Sequence, residues 1–130
     1  MAFVKFKPLT AELVYTNVID IEKIDEQAKK LIIPSEKIFI VCKATRDLFV
    51  LTDKRILIID FRGIRGFRKT VYSIPLKSIV SYDINIHNFD TKMDITTTSG
   101  YQLDIKFSKP IPLETMYEMY NYMSKHILNC

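Results

Sequence analysis

From Glu36 to Phe107 the sequence is a succession of short apolar or alternating runs, each cut off by a polar turn, and this spacing constrains the fold more than any other feature. The runs are KIFIVCK, DLFVL, ILIID, KTVYSI, SIVSYDINI, KMDITTT and YQLDIKF. Only Ala44-Thr45-Arg46 separates the first two. Thr52-Asp53-Lys54-Arg55 then reads as a tight reversal, because Thr and Asp side chains bond to turn backbone and tolerate its dihedrals. Gly63 and Gly66 take positive φ at little steric cost and so suit the next hairpin loop. After Pro75, alternation puts Ile79, Ser81, Asp83, Asn85 and His87 on a polar side and Val80, Tyr82, Ile84 and Ile86 on a core side. The pattern predicts a meander of seven strands.

Laid flat, such a meander has two free edges and invites aggregation. Curling into a small barrel or orthogonal sandwich, with a helix over one opening, hides the edges and satisfies the alternation. The helix is at hand. After Pro110 and Pro112, LETMYEMYNYMSKHIL aligns Leu113, Met116, Tyr120, Met123 and Ile127 on one stripe, with Tyr117 and Leu128 at its border. Met119 and Tyr122 fall partly off that stripe, which suits contact with a second neighbour.

Ahead of the meander, DIEKIDEQAKKLI repeats Ile21, Ile24, Ala28, Leu31 and Ile32 at helical spacing, with Asp20 placed to cap the start, Lys29 and Lys30 suited to the end, and Pro34 as the stop. Thr10 can open an earlier turn through Ala-Glu-Leu-Val-Tyr. The expected organisation is a helical extension over 1–34 and a β domain with its closing helix over 35–130.

Composition narrows the function classes. At 130 residues with 48% hydrophobic and 26% charged, the chain has ordinary globular character and one core is the default. Apolar runs such as Ile56-Leu57-Ile58-Ile59 fall far short of the ~20 residues needed to span a bilayer. The N-terminus has no secretory-signal pattern, and two cysteines do not make a disulfide scaffold, so Cys42 reads as a reduced core residue and cytoplasmic residence is expected. The two histidines, His87 and His126, sit in no HExxH, Cys-His or Gly-x-Ser-x-Gly context, and His126 suits a helix C-terminus. Asp83, Asp90, Asp94 and Asp104 fall on alternating strand positions, as solvent-facing residues do. No catalytic residue, metal ligand or cofactor site is expected.

The residues Arg46-Asp47-Leu48, Thr52-Asp53-Lys54-Arg55, the Gly63 and Gly66 pair and Ser73-Ile74-Pro75-Leu76-Lys77-Ser78-Ile79, in that order and spacing, resemble the bacterial pleckstrin-homology-like domains. The upstream IDIEKIDEQAKKLIIPSEKI is similar to the helix and following acidic residue that precede longer members. Departures occur at Ser35, where glycine is frequent, and at Arg62 and Arg65, where neutral residues are common. The resemblance implies a mainly β fold with flanking helices: a seven-stranded barrel of two near-orthogonal antiparallel sheets, capped by a C-terminal helix and preceded by an N-terminal one. It also implies assembly into homo-oligomers, rings among them, with no settled biochemical role; fold alone does not confer function.

The formal charge of +4 is unevenly spread, since residues 34–70 carry nine basic and four acidic side chains. In a pleckstrin-homology-like barrel the first-to-second and third-to-fourth strand loops share an open end, so Lys43 and Arg46 approach Arg62, Arg65, Arg68 and Lys69. Such a cluster attracts a phosphoanion or an anionic membrane surface by about 1 kcal/mol per basic residue. The competing reading is a solvated turn in which Arg46 pairs with Asp47. Phe61, Ile64 and Phe67, interleaved with the arginines, fit insertion into lipid, packing on the rim or contact with another subunit. Subunit contact, joined by Met119 and Tyr122, is the favoured expectation. Nucleic acid is not expected as a partner, because no recognition motif is present and the acidic strand positions repel phosphate.

Overall fold

The computed structural model describes residues 13–24, 26–44, 47–62 and 68–129. Two short strands, β1 (Leu13–Tyr15) and β2 (Asn17–Ile19), come first, followed by a 3-10 turn at Ile21–Lys23 and one helical turn, α1 (Glu26–Lys29). All seven expected strands then form: β3 (Ile38–Ala44), β4 (Asp47–Thr52), β5 (Arg55–Arg62), β6 (Arg68–Pro75), β7 (Ile79–Ile86), β8 (Asp90–Thr97) and β9 (Gln102–Ser108). Helix α2 (Leu113–Ile127) ends the fold.

The strands make two sheets, ordered β2-β3-β4-β5-β6 and β1-β9-β8-β7. They do not close into a barrel. Strand β6 ends at Pro75, which has no N–H to give a ladder, and a 3-10 turn at Leu76–Ser78 carries the chain into the other sheet, so β6 and β7 each end a sheet. Nor are the sheets wholly antiparallel, because β1 runs parallel to β9. Thr16, the single residue between β1 and β2, donates its N–H to the Lys43 carbonyl at 3.0 Å. Its neighbours Tyr15 and Asn17 are register partners of Phe107 and Lys43, so these residues stitch one sheet to the other.

Period-2 geometry explains why β4 and β5 read as unbroken apolar runs. Phe49, Leu51, Ile56 and Ile58 point into the main core between the sheets, while Leu48, Val50, Leu57 and Ile59 form a second cluster on the opposite face. Ile24 and Ala28 cover that second face, aided by Ile19, Leu31 and Ile32. In the main core the rings of Tyr15, Phe49 and Phe107 meet pairwise with centroids 5.3–5.8 Å apart.

The continuous N-terminal helix does not form as expected. Asp20 makes no side-chain cap bond, and Ile24 has extended backbone with ψ 138°, which interrupts the helix before α1. The apolar spacing instead serves a strap that follows the sheet surface. Thr10 lies outside the described residues, and Leu13–Tyr15, expected in its turn, is strand instead.

Two further expectations are corrected. A register shift between Ile79 and Ser81 inserts one extra residue, so Ile79 is buried and Val80, expected inside, is 61% exposed. In α2, Met116, Met119 and Met123 are the buried residues, while Leu113 is exposed. Tyr122 stacks on Phe39 with ring centroids 4.1 Å apart, and the Tyr82 hydroxyl donates to Ser124 Oγ at 2.8 Å. These contacts seat the helix on both sheets.

Candidate functional site

The β5–β6 hairpin carries the expected basic loop. Its ladder runs outward through Asp60–Thr70 and Phe61–Lys69 to Arg62–Arg68, which are direct register partners. Gly63, Ile64, Arg65, Gly66 and Phe67, together with Arg46, lie outside the described residues, as do the side chains of Arg62 and Arg68. Lys43 and Lys69 are both exposed, and neither pairs with a carboxylate among the described residues. Lys43 sits one ladder position from Ala44–Asp47, and the Asp47 carboxylate accepts the Phe61 N–H at 2.9 Å. The two hairpin ends are thereby tied at one rim, and Asp47 is engaged with backbone there.

Phe61 packs against the second apolar cluster, where Ile59 and Val71 are its neighbours along the strands. Met119 is fully buried and Tyr122 is half-buried on Phe39, so Met119 has no surface to offer a second copy. The reason is width: a helix lying in the opening between two sheets buries spacings of both three and four residues, and Met119 falls inside that broadened face.

The sequence points to strand edges as a surface for subunit contact but does not locate them; the structure places two of them at a seam. Strands β6 and β7, eight residues each, present unpaired edges at the ends of the two sheets. Val80 is 61% exposed and Ile86 is 41% exposed on β7. A cavity of about 380 Å³ opens beside β6, lined by Val71, Tyr72 and Ile74 and by Thr97, Ser99 and Tyr101 of the β8–β9 turn. The only signal in the sequence is Val80 itself, an apolar residue displaced by a bulge that alternation does not reveal.

Charge on the outer face of the other sheet is arranged rather than scattered. Asp94 is the register partner of both Asp83 and Asp104, and Lys92 Nζ lies 3.7 Å from Asp94 and 3.8 Å from Asp104. A hydrogen bond shared with Asp94 raises the Asp104 pKa; burial and the Asp94 charge add to the rise, and Lys92 offsets it in part. Among the described residues no group of His, Cys, Asp and Glu is arranged to hold a metal ion. Cys42 is fully buried, and burial pushes its thiol pKa up to about 12, which makes it an inert core residue. His126 lies in the last turn of α2 with its ring 4.5 Å from that of Tyr122. No helix among the described residues is long and apolar enough to cross a membrane.

Three solved structures share this architecture. A DUF1696 family protein with a pleckstrin-homology domain from Shewanella loihica PV-4 matches with a TM-score of 0.70 at 16% identity, covering 85% of this chain and 95% of the other. A pleckstrin homology domain from Shewanella amazonensis SB2B gives 0.59 at 21%, covering 84% and 89%. A PH-domain-containing bacterial protein from Exiguobacterium sibiricum 255-15 gives 0.67 at 16%, covering 88% and 63%. Among curated proteins, the uncharacterized protein YjqA of Bacillus subtilis (strain 168) is 36% identical over 61 residues, which is 47% of this chain and 49% of that protein. The match thus spans about half the length of that relative. The family model for the bacterial PH domain matches residues 9–127, nearly the whole described fold, and the chain belongs to that family.

Proposed function

We propose that this protein is a non-enzymatic interaction module that associates with copies of itself through the open edges of β6 and β7. The observation that carries the reading is the unpaired seam: two eight-residue edges whose N–H and C=O groups are a template for further strands, with Val80 and Ile86 exposed on β7. Domains manage such edges by pairing, covering or charging them, and no described strand pairs with the outer side of either one. Copies joined edge to edge in this way form a closed ring if the rotation between them closes. Strands β1 and β2, within the expected extension over 1–34, pair with β9 and β3 of the domain over 35–130. Light scattering coupled to size exclusion tests the reading: a mass above that of one chain, rising with concentration, is expected, and a clean monomer at high micromolar concentration overturns it.

A second reading has its own support. Lys43 and Lys69 are exposed without carboxylate partners, near the rim where Arg46, Arg62, Arg65 and Arg68 occur in sequence. This is the composition of a surface that binds anionic lipid or a phosphoanion from the cytoplasmic side. Co-sedimentation with anionic vesicles, lost in high salt, is the expected behaviour; equal recovery with neutral vesicles removes the reading.

A further inference from the structure

We propose that the groove between the outer edge of β7 and helix α2 seats residues 2–7 of a neighbouring copy as an added strand. This rests on the open-edge reading of β7 and names the segment that fills that edge. The groove follows from how α2 lies. Leu113, at the helix start, borders the same cleft as His87 and Phe89 just after β7. Farther along, the Tyr120 ring stands 5.5 Å from that of Tyr82, and Ser124 Oγ accepts from the Tyr82 hydroxyl at 2.8 Å. The helix therefore runs beside β7 in the opposite direction. On this track Ile86, Leu113 and Tyr117 are exposed and Tyr82, Ile84 and Tyr120 are half-buried, an apolar wall behind a strand edge that no described strand pairs.

Edge and wall together specify the occupant. A strand added to β7 sends alternate side chains to the two faces of the sheet. Those on the helix side meet apolar surface, and those on the other side meet Ser81, Asp83 and Asn85, all exposed. Asp83 has no cation partner among the described residues, and its row continues through its register partner Asp94 to Asp104, with one ammonium, Lys92, beside the inner two. The segment Ala2-Phe3-Val4-Lys5-Phe6-Lys7 meets both demands, because Ala2, Val4 and Phe6 alternate with Phe3, Lys5 and Lys7. Seated with Val4 and Phe6 toward α2, it carries Lys5 and Lys7 on the face of the acidic row. Pro8 then closes the run as Pro75 closes β6.

The reach of the chain assigns the segment to a neighbour. Residues 2–7 lie outside the described residues, and β1, which follows them, is at the opposite end of its sheet from β7. The place beyond β7 is four strand spacings from β1, about 19 Å in a straight line through the sheet. The six residue steps from Leu13 back to Lys7 extend at most about 22 Å. A route over either face must also clear side chains that stand about 5 Å above the backbone, once on the way up and once on the way down, and so exceeds that length. A chain therefore cannot fill its own groove while β1 stays paired with β9.

The probe is a fluorescently labelled heptapeptide of residues 2–8, added to the full chain carrying Val4→Asp and Phe6→Asp so that its own segment does not compete. Saturable anisotropy is expected, and a peptide with Lys5→Glu and Lys7→Glu should bind at least about fivefold more weakly at low salt. In the same receptor, Tyr117→Asp and Ile86→Lys should each weaken the native peptide at least about fivefold while leaving amide dispersion in 1H–15N spectra unchanged. Both side chains are exposed, so these variants test binding rather than folding. Absence of saturable binding, equal binding of the charge-reversed peptide, or unchanged affinity in both groove variants would overturn the proposal. Sedimentation velocity separates it from the reading it rests on. Val4→Asp with Phe6→Asp should shift association at least about tenfold to higher concentration. Association unchanged by that pair but weakened by Val80→Lys with Ile86→Lys removes the segment and leaves the open edge standing, whereas a monomeric wild type that binds no peptide removes both.

Discussion

Arg55 holds Glu36 in a two-pronged ion pair, Nε to Oε2 at 2.8 Å and Nη2 to Oε1 at 2.9 Å, with the Glu36 side chain wholly buried. Thr52 Oγ1 donates to the same carboxylate at 2.6 Å while accepting the N–H groups of Lys54 and Arg55. Arg55 also donates to the Leu31 carbonyl and to Ser73 Oγ. One side chain thereby joins the N-terminal strap, the β4–β5 turn and strand β6.

Loss of Arg55 leaves the Glu36 carboxylate buried without its counter-ion, and loss of the Glu36 charge leaves the largely buried Arg55 guanidinium without its own. Arg55→Ala and Glu36→Gln are each expected to lower unfolding free energy by about 3–5 kcal/mol. Urea denaturation of the two single variants and the double variant checks this, and the double variant should cost clearly less than the sum, since the pair is one unit. Additive losses would show that the contact is not a coupled pair.

The same carboxylate gives a pH signature. Burial alone would raise the Glu36 pKa, but hydrogen bonds from Arg55 and Thr52 and the Arg55 charge outweigh it and hold the value below the usual glutamate range. A lowered folded pKa means the latch contributes fully above the ordinary glutamate value of about 4.3, and the contribution is lost as pH falls through the folded value. Asp104 runs the other way: its folded pKa is raised, so its ionisation removes stability as pH rises from the ordinary aspartate value through the raised one. Wild-type protein should therefore lose stability in acid, and Glu36→Gln should flatten that loss. Asp94→Asn should make the folded state more stable at neutral pH by up to about 0.5 kcal/mol, a small gain because Asp104 is 65% solvent-exposed.

The seven main strands were legible because each is an apolar or alternating run closed by turn chemistry, and TDKR is a turn for the reason its residues suggest, with Thr52 bonding its backbone. Strands β1 and β2 were not legible. At three residues each they carry no period and exist by docking on β9 and β3. The strap from Ile21 to Ile32 misled because helix spacing and a surface-following segment both repeat apolar residues every three or four positions. Val80 and Met119 erred for tertiary reasons, a bulge and an opening wide enough to bury more of the helix than one stripe. The basic rim was read from charge density, which says where cations lie in sequence but not which remain unpaired.

Tyr15 offers a test in which removal of a polar atom stabilises. Its ring is fully buried against Phe49 and Phe107, and its hydroxyl has no hydrogen-bond partner among the described residues. Burial, with smaller contributions from the Asp47, Cys42 and Asp60 charges, raises its pKa above the ordinary tyrosine value, so it stays neutral at every ordinary pH. Tyr15→Phe keeps the ring packing and deletes the unsatisfied group. Chemical denaturation should show a gain of about 1 kcal/mol, whereas a loss of that size would reveal a partner for the hydroxyl.

The seam predicts a separation between assembly and stability. Val80 and Ile86 are exposed on β7, so charging them removes no core contact and should leave unfolding free energy within about 0.5 kcal/mol of wild type. A lysine on an edge strand opposes pairing with a second sheet, because the ammonium must be desolvated against the incoming strand. The double variant Val80→Lys, Ile86→Lys should thus shift the association midpoint at least about tenfold to higher concentration, and Lys69→Gln, on the hairpin rim, should not. Sedimentation velocity over a concentration series distinguishes the cases. Equal weakening by the rim and edge variants would place assembly at the basic hairpin instead, and unchanged association in the edge variant would remove β7 from the interface.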